Sequence, residues 1–352
     1  MQVDFIIVGQ GLCGTFLSHQ LLQAGKRVYV IDTNKPFSAS KVASGVINPV
    51  TGRRIVRTWL IETLMPFAVE AYTQLGNLLQ ANFIKPAPII DFHTTAQMHL
   101  AFADRLPHET TYLHQLPNEQ PWKDVCNYHF GAGMIAPSWL VDLQLLLPLW
   151  RQHLQLLSCI DDTHFDQTLL QVSDFRVQYK NVTAKAIIFC DGVQGSSNPF
   201  FQQLPFALNK GEALIIHAPQ LPATHILKHG LSIVPWIGEG MFWVGSTYEW
   251  TYTDVLPSTA FREKTETALR QFLQHPFTIV EHLAAERPAT IERRPFVGLH
   301  PLYQNVGILN GMGTKGCTLA PYFAHQLAQH LVHQAPIDPH ANVQRFSKIL
   351  SK

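Results

Sequence analysis

Apolar positions along the chain follow two rhythms. Short unbroken runs, FIIV at Phe5–Val8, VYVI at Val28–Ile31 and AKAIIFC at 184–190, suit strands buried on both faces of a parallel sheet. Runs spaced three and four residues apart predict helices: Leu12, Phe16, Leu17 and Leu21 first, then Leu64, Ala68, Ala71, Leu75 and Leu78 within 62–80. A further helix is expected from about Ser138, with Pro148 as a kink or boundary. Another is expected at 261–273 behind Pro257-Ser258-Thr259, and a last one at 318–331, where Leu319, Phe323, Leu327 and Leu331 share a face. Two stretches depart from this alternation. Residues 83–128 hold short runs broken by Pro86, Pro88, Pro107, Pro117 and Pro121, which reads as short strands and loops, and 211–249 carries strand-like runs at 213–217, 231–234 and Met241–Gly245. The chain therefore reads as α/β, a Rossmann-like nucleotide-binding domain (1–80, 135–200 and 290–352) with an inserted, discontinuous α+β substrate domain on a mostly antiparallel sheet (81–134 and 201–289).

The opening stretch, 4–32, contains one complete βαβ unit. Its first strand ends at Gly9, and Gly9, Gly11 and Gly14 fall at GxGxxG spacing. That spacing serves a tight turn, a pyrophosphate lying against the backbone, and close packing of helix on strand. The free N–H groups of the helix then point at the phosphates. Gly25 ends the helix, and Asp32 closes the second strand where a carboxylate can accept from a ribose 2′-hydroxyl. The acid disfavours NADP and leaves NAD and FAD both open. Beyond it, 33–61 is rich in Ser, Gly and Pro and reads as mostly loop. Within it Ser38 to Gly45 can pass close to a flat ligand, and Arg53, Arg54 and Arg57 form a basic turn that is either solvated or anion-contacting.

Composition narrows the class. Among 352 residues, 46% are hydrophobic and 14% charged, which implies a large core and excludes a disordered chain. With 26 basic and 25 acidic residues the net charge is +1, so nothing draws the whole molecule to nucleic acid or membrane. The 18 histidines show no metal-ligand spacing. Five cysteines without a CxxC pair argue against a disulfide framework, and no uncharged apolar stretch reaches 18 residues; a cytoplasmic, soluble protein is expected.

A second glycine-rich strand-to-helix turn lies near the end of the chain. NVGIL is followed by NGMGTKGC, with Gly311, Gly313 and Gly316, and then by the last helix. If the ligand between the two turns is a flavin, this helix N-terminus and Lys315 lie where they can stabilise negative charge on the N1–C2=O side of its ring.

Taken in order, GQGLCG, SGVINP, GAGMIAP, IIFCDG, LNKGEALII, IVPWIGEGMFWVGSTYE, ERPATIERRPFVGLHP and GMGTKGCTLAP resemble the D-amino-acid oxidase-like FAD oxidoreductases over nearly the whole chain. Within that family the likeness is to the glycine oxidases and to the flavin domain of the bifunctional enzymes that finish a wobble-uridine modification in tRNA. The resemblance implies that Gly9, Gly11 and Gly14 hold the FAD pyrophosphate and Asp32 the adenosine ribose, where relatives commonly carry Glu. It implies Ser44 and Gly45 near the ring, and Gly311, Gly313, Thr314, Lys315 and Gly316 around its edge. Arg287, in an Arg-Pro pair, matches the arginine that pairs with the substrate carboxylate in glycine oxidase-like members. No cysteine matches a covalent flavin attachment, so FAD is expected to bind non-covalently. The segment NPVTGRR at 48–54 has no counterpart in the family pattern.

The expected reaction is oxidation of the C–N bond of a small amine or amino acid, with hydride transfer to flavin N5 and hydrolysis of the imine. Oxygen or another acceptor takes the electrons. Arg287 is the expected carboxylate clamp, Tyr248 a wall or hydrogen-bond partner of the substrate, and Lys315 the flavin's electrostatic partner. The alternatives are flavin-dependent tRNA modification, against which the charge of +1 and the lack of a polybasic run count, and an NAD-dependent dehydrogenase.

Overall fold

The computed structural model describes residues 1–52 and 55–351, so Arg53 and Arg54, with their part of the basic-turn reading, lie outside the described residues. A six-stranded sheet runs in the order Ile160–Asp161, Val28–Ile31, Phe5–Val8, Ala186–Phe189, Val306–Asn310, Phe296–Leu299. Its first five strands are parallel, and the last is antiparallel to its neighbour. Phe5–Val8 and Ala186–Phe189 are buried at every residue, as strands covered on both faces must be. One face packs helices Leu12–Gln23, Ile61–Leu79, Leu143–Leu156 and Gly316–His333. The opposite face is covered by a three-stranded meander, Leu170–Val172, Val177–Tyr179 and Val182–Ala184, together with Phe201 and Phe346.

An eight-stranded, mostly antiparallel sheet forms the other half. Its order is Thr278–Arg287, Asn209–His217, Met241–Gly245, Leu231–Pro235, Ile226–His229, Ile89–Phe92, Ala132–Ile135, Leu113–Gln115, with one parallel pairing between Ile226–His229 and Ile89–Phe92. Side chains alternate across it. Ala213, Ile215, Trp243 and Leu283 join the core that contains the helices of the parallel sheet, whereas Leu214, Ile216, Val244 and Phe242 pack under helix Thr259–Phe272. That far face also holds a buried ionic cluster. Glu212 accepts from Ser258 N (2.6 Å) and Ser258 Oγ (2.7 Å), beside Lys210 Nζ at 3.3 Å and His282 Nε2 at 2.8 Å. Ser258 in turn caps Thr259–Phe272 by accepting from Phe261 N, as the start signal predicts.

Several local expectations need correction. The helix expected from Ser138 begins at Leu143, because Trp139–Val141 pairs as a strand with Val46–Ile47 and Ile84–Pro86, and the Asp142 side chain caps Leu145 N. Pro148 sits inside that helix and ends nothing. The proline-broken stretch contains a ten-residue helix, Ala96–Arg105, started by Thr95, whose side chain accepts from Met98 N. The 184–190 run is two strands parted at Lys185. The loop after Asp32 holds a one-turn helix, Ala39–Val42, and a hairpin of Val50–Thr51 with Val56–Arg57.

Candidate functional site

Strand ends, glycine turns and one face of the larger sheet converge at the carboxyl edge of the parallel sheet. The opening GxGxxG is a close-packing device. Gly9 has φ +99°, and a Cβ there would lie 2.4 Å from Cys190 O; one on Gly14 would lie 1.8 Å from Gly9 O. Neither position accepts any side chain, so the helix starts hard against the strand ends. The N-terminal N–H of Leu12 donates to Ser40 Oγ at 3.1 Å, which brings the 38–45 segment over the same turn.

Asp32 is held from three sides. Its carboxylate accepts from Gln10 N (2.9 Å), Asn34 N (2.7 Å) and Arg151 Nη1 (2.9 Å), and Arg151 Nη2 also donates to Asp32 O. Arg151 is buried and reaches Asp162 and Gln10 as well. Three of the roughly four lone-pair positions of the carboxylate are thus filled. One remains, on a side chain still 23% exposed, which fits a single ribose hydroxyl. Arg151 was not singled out from the sequence. Its signal was there: an arginine at 151 in the same helical stripe as Leu147 and Leu154 is a charge on a buried face.

The second turn meets the first. Gly316 opens helix Gly316–His333 with its Cα hydrogens against the Leu12 side chain, where a Cβ would stand 3.3 Å from Leu12 Cδ1. Gly311 N donates to the Asn310 side chain, whose Nδ2 donates to Asp191 Oδ1 (2.9 Å) and Gly192 O (2.8 Å). Burial raises the Asp191 carboxyl to about 6, against the lowering effect of the Asn198 and Asn310 amides. This pairing fixes the turn to the end of the neighbouring strand, and it too was missed. Thr314 is exposed at the tip, and Gly313 N donates to Pro288 O at 3.1 Å. Lys315 folds inward and its Nζ lies 3.4 Å from Asn48 O; burial lowers its ammonium to about 8. Asn48 is thereby linked to the turn. Arg57 beyond it is committed to Glu109 (2.7 and 2.9 Å) and Glu62, so its charge is already balanced and it does not stand free for an anion. Ser44 lines a cavity of about 210 Å³ with Val141, Leu143 and Trp236, while Gly45 O accepts from Val141 N.

Arg287 and Tyr248 come together. The guanidinium lies 5.0 Å from the Tyr248 ring centroid and donates through Nη1 to Asn209 Oδ1 (2.8 Å) and Thr247 O (3.0 Å). It rests against Gly211, where a Cβ would stand 1.8 Å from Nη2. Two residues back along the strand, Ala285 belongs to the core shared with the nucleotide-side helices, so Arg287 points to the same side as the glycine turn. Burial lowers its basicity, and among the described residues no carboxylate lies within 4 Å of it. No cluster of metal-ligating side chains occurs among the described residues, and no described helix is long and apolar enough to cross a membrane.

A family model described as FAD dependent oxidoreductase matches residues 4–330. Solved structures share the fold over almost their full length. Iminodiacetate oxidase from Chelativorans sp. BNC1 aligns with a TM-score of 0.77 at 18% identity, covering 95% of this chain and 96% of that one. Glycine oxidase from Geobacillus kaustophilus gives 0.80 at 18% identity, with 96% of each chain covered. L-proline dehydrogenase from P. horikoshii gives 0.76 at 13%, covering 99% of this chain and 98% of that one.

Proposed function

The chain belongs to the FAD-dependent oxidoreductase family, and on that premise we propose that it oxidises the C–N bond of a small amine or amino acid, the imine product being hydrolysed in water. Bound FAD supplies the two-electron acceptor, and oxygen or another acceptor restores it. The family membership decides for FAD over the NAD alternative. In this reading residues 1–80, 135–200 and 290–352 form the FAD-binding domain, and 81–134 with 201–289 the substrate domain. Gly9, Gly11 and Gly14 admit the pyrophosphate, Asp32 takes a ribose hydroxyl with its remaining lone pair, and the 311–316 turn borders the ring.

The observation that carries the proposal is Arg287. A half-buried guanidinium without a carboxylate, next to the glycine turn through Pro288, has one edge committed to Asn209 and Thr247 and Nη2 uncommitted among the described residues. That is the state in which an arginine receives a substrate carboxylate. Tyr248 beside it walls the carboxylate position. Lys315, on the turn, supplies positive charge as electrons arrive. No residue need act as a strong base, because a neutral amine expels hydride unaided and the chain's task is orientation.

The test is anaerobic mixing of the FAD-loaded protein with a panel of amines and amino acids. Loss of the oxidised-flavin absorbance with at least one of them is expected. Failure of every member to bleach the flavin, with FAD demonstrably bound, rejects the reading.

A further inference from the structure

The strand Ala186–Phe189 ends against the opening glycine turn, and a carboxylate follows directly after it. A Cβ on Gly9 would stand 2.4 Å from Cys190 O and 3.3 Å from the Asp191 Cα, so the backbone of Asp191 abuts the GxGxxG turn. The Asp191 side chain does not cap the short helical turn Gly192–Ser197 that it precedes. It faces two amides instead. Oδ1 accepts from Asn310 Nδ2 at 2.9 Å and Oδ2 from Asn198 Nδ2 at 3.1 Å. Both amides are fixed by their other ends, since Asn310 Oδ1 accepts from Gly311 N (2.7 Å) and Asn198 Oδ1 from Phe200 N (3.0 Å). Asp191 thus ties the first glycine turn to the second.

Among the described residues no lysine, arginine or histidine nitrogen lies within 4 Å of this carboxylate. The titratable neighbours among them are two thiols, Cys13 from helix Leu12–Gln23 and Cys190 from its own strand end. Burial, with the Asp191 charge adding to it, pushes Cys13 up to about 12 and Cys190 well above the ordinary thiol range, so both stay neutral. Gly192–Ser197 and the segment after it present Gly195 and Asn198, and the end of Val306–Asn310 presents Asn310; none of these ionises. The two amides favour the charged form, yet burial lifts the carboxyl to about 6. A pyrophosphate on the turn acts in the same direction as burial. It brings a negative charge on each phosphate to the backbone that Asp191 abuts, and like charge at short range disfavours a carboxylate.

Resting on the reading above, in which Gly9, Gly11 and Gly14 admit the FAD pyrophosphate, we propose that Asp191 takes up a proton as FAD binds. Near neutral pH the free protein carries Asp191 as the carboxylate, and the complex carries it as the neutral acid. Cofactor affinity is then linked to pH with a fixed sign, because the group holds its proton more firmly in the complex than in the free protein. FAD is bound most tightly where both forms are protonated. Its affinity declines as pH rises through the range in which only the complex keeps the proton, and levels off above that range.

Binding tests this without turnover. FAD is titrated into the FAD-free protein by calorimetry at several pH values, each in two buffers of different ionisation enthalpy, which gives affinity and proton uptake together. A carboxyl that titrates about one pH unit higher in the complex weakens FAD binding roughly fivefold between about pH 6 and 8, with proton uptake greatest between about pH 6 and 7. Asp191→Asn is expected to bind FAD with a pH response below about 1.5-fold and without that uptake. Wild-type affinity that stays constant over this range, with no uptake, overturns the proposal, and that measurement requires no variant to fold. Uptake confined to pH above 8 also overturns it, since it belongs to Lys315, whose ammonium titrates at about 8. So does a full response in Asp191→Asn, which assigns the proton to another group. Failure of FAD to bind at any pH rejects the cofactor reading itself.

Discussion

Gly14 and Arg287 belong to two walls of the molecule built in different ways. At Gly14 helix and strand end are packed so tightly that a methyl group would lie 1.8 Å from Gly9 O. At Arg287 the chain offers a long charged side chain laid across a strand and secured by Asn209 and Thr247, residues 78 and 40 positions away. In the reading proposed above, the first wall takes a constant cofactor by shape and backbone dipoles. In the same reading the second recognises by side-chain charge, which a substitution can change without rebuilding the sheet that carries it. A common scaffold with variable chemistry is what such a division allows.

Four perturbations would break or sharpen this contrast. The largest effect is expected at Glu212, on the far side of the substrate-side sheet. Glu212→Gln leaves Lys210 buried beside a neutral group, and unfolding in urea should register a loss of about 3–5 kcal/mol; a loss below about 1 kcal/mol would mean that the ionic cluster does not brace this wall. Arg287→Ala should lower kcat/KM for a carboxylate substrate by about 2–5 kcal/mol, read by steady-state kinetics, with FAD content unchanged. A parallel loss of FAD would join the two walls into one site and undo the contrast. Gly14→Ala should do the reverse. The backbone must move, so stability falls by about 1–3 kcal/mol and the ratio of flavin to protein absorbance drops.

The smallest effect belongs to Lys315 and depends on pH. Burial holds its ammonium at about 8, below the ordinary lysine value of 10.5, so between those limits the unfolded chain binds more protons than the folded one. The stability of the FAD-free protein should therefore rise as pH climbs from 8 toward 10.5 and fall again as pH returns to 8. The change is on the order of 1 kcal/mol once partial exposure is allowed for. Lys315→Met should flatten this slope in urea midpoints taken at several pH values. An unchanged slope would assign the pH response to another group.

The nucleotide-side wall was the more legible. Strand, glycine turn, helix, strand and acid follow one another within 4–32, and each step rests on neighbours in sequence, so local pattern sufficed to place Gly9, Gly14 and Asp32. The second turn at 311–316 was legible for the same reason. What escaped was pairing at long range. Arg151 reaches Asp32 across 119 residues, and Lys228 reaches Asp91 across 137. No window of sequence contains either pair. The helix at Leu143 was placed too early because apolar Trp139–Val141 suits a helix as well as a strand until its partners at Val46–Ile47 and Ile84–Pro86 are known. Arg287 was named through family resemblance and Tyr248 as a strand-end aromatic, and their juxtaposition follows from strand register, which hydrophobic pattern alone does not supply.

The order of strands in the parallel sheet also bears on how the protein is made. Phe5–Val8 lies beside Ala186–Phe189, which lies beside Val306–Asn310, and the Leu12 turn is completed only when Gly316 packs against it. At ribosomal rates of about 5–20 residues per second, the first strand waits roughly 9–36 s for Ala186–Phe189, and the Leu12 turn roughly 15–60 s for Gly316. For those intervals a wholly apolar strand and an open glycine turn depend on chaperones or on transient collapse. The cofactor cannot act as an early folding template here, and uptake of flavin becomes a late event that reports the completion of the chain.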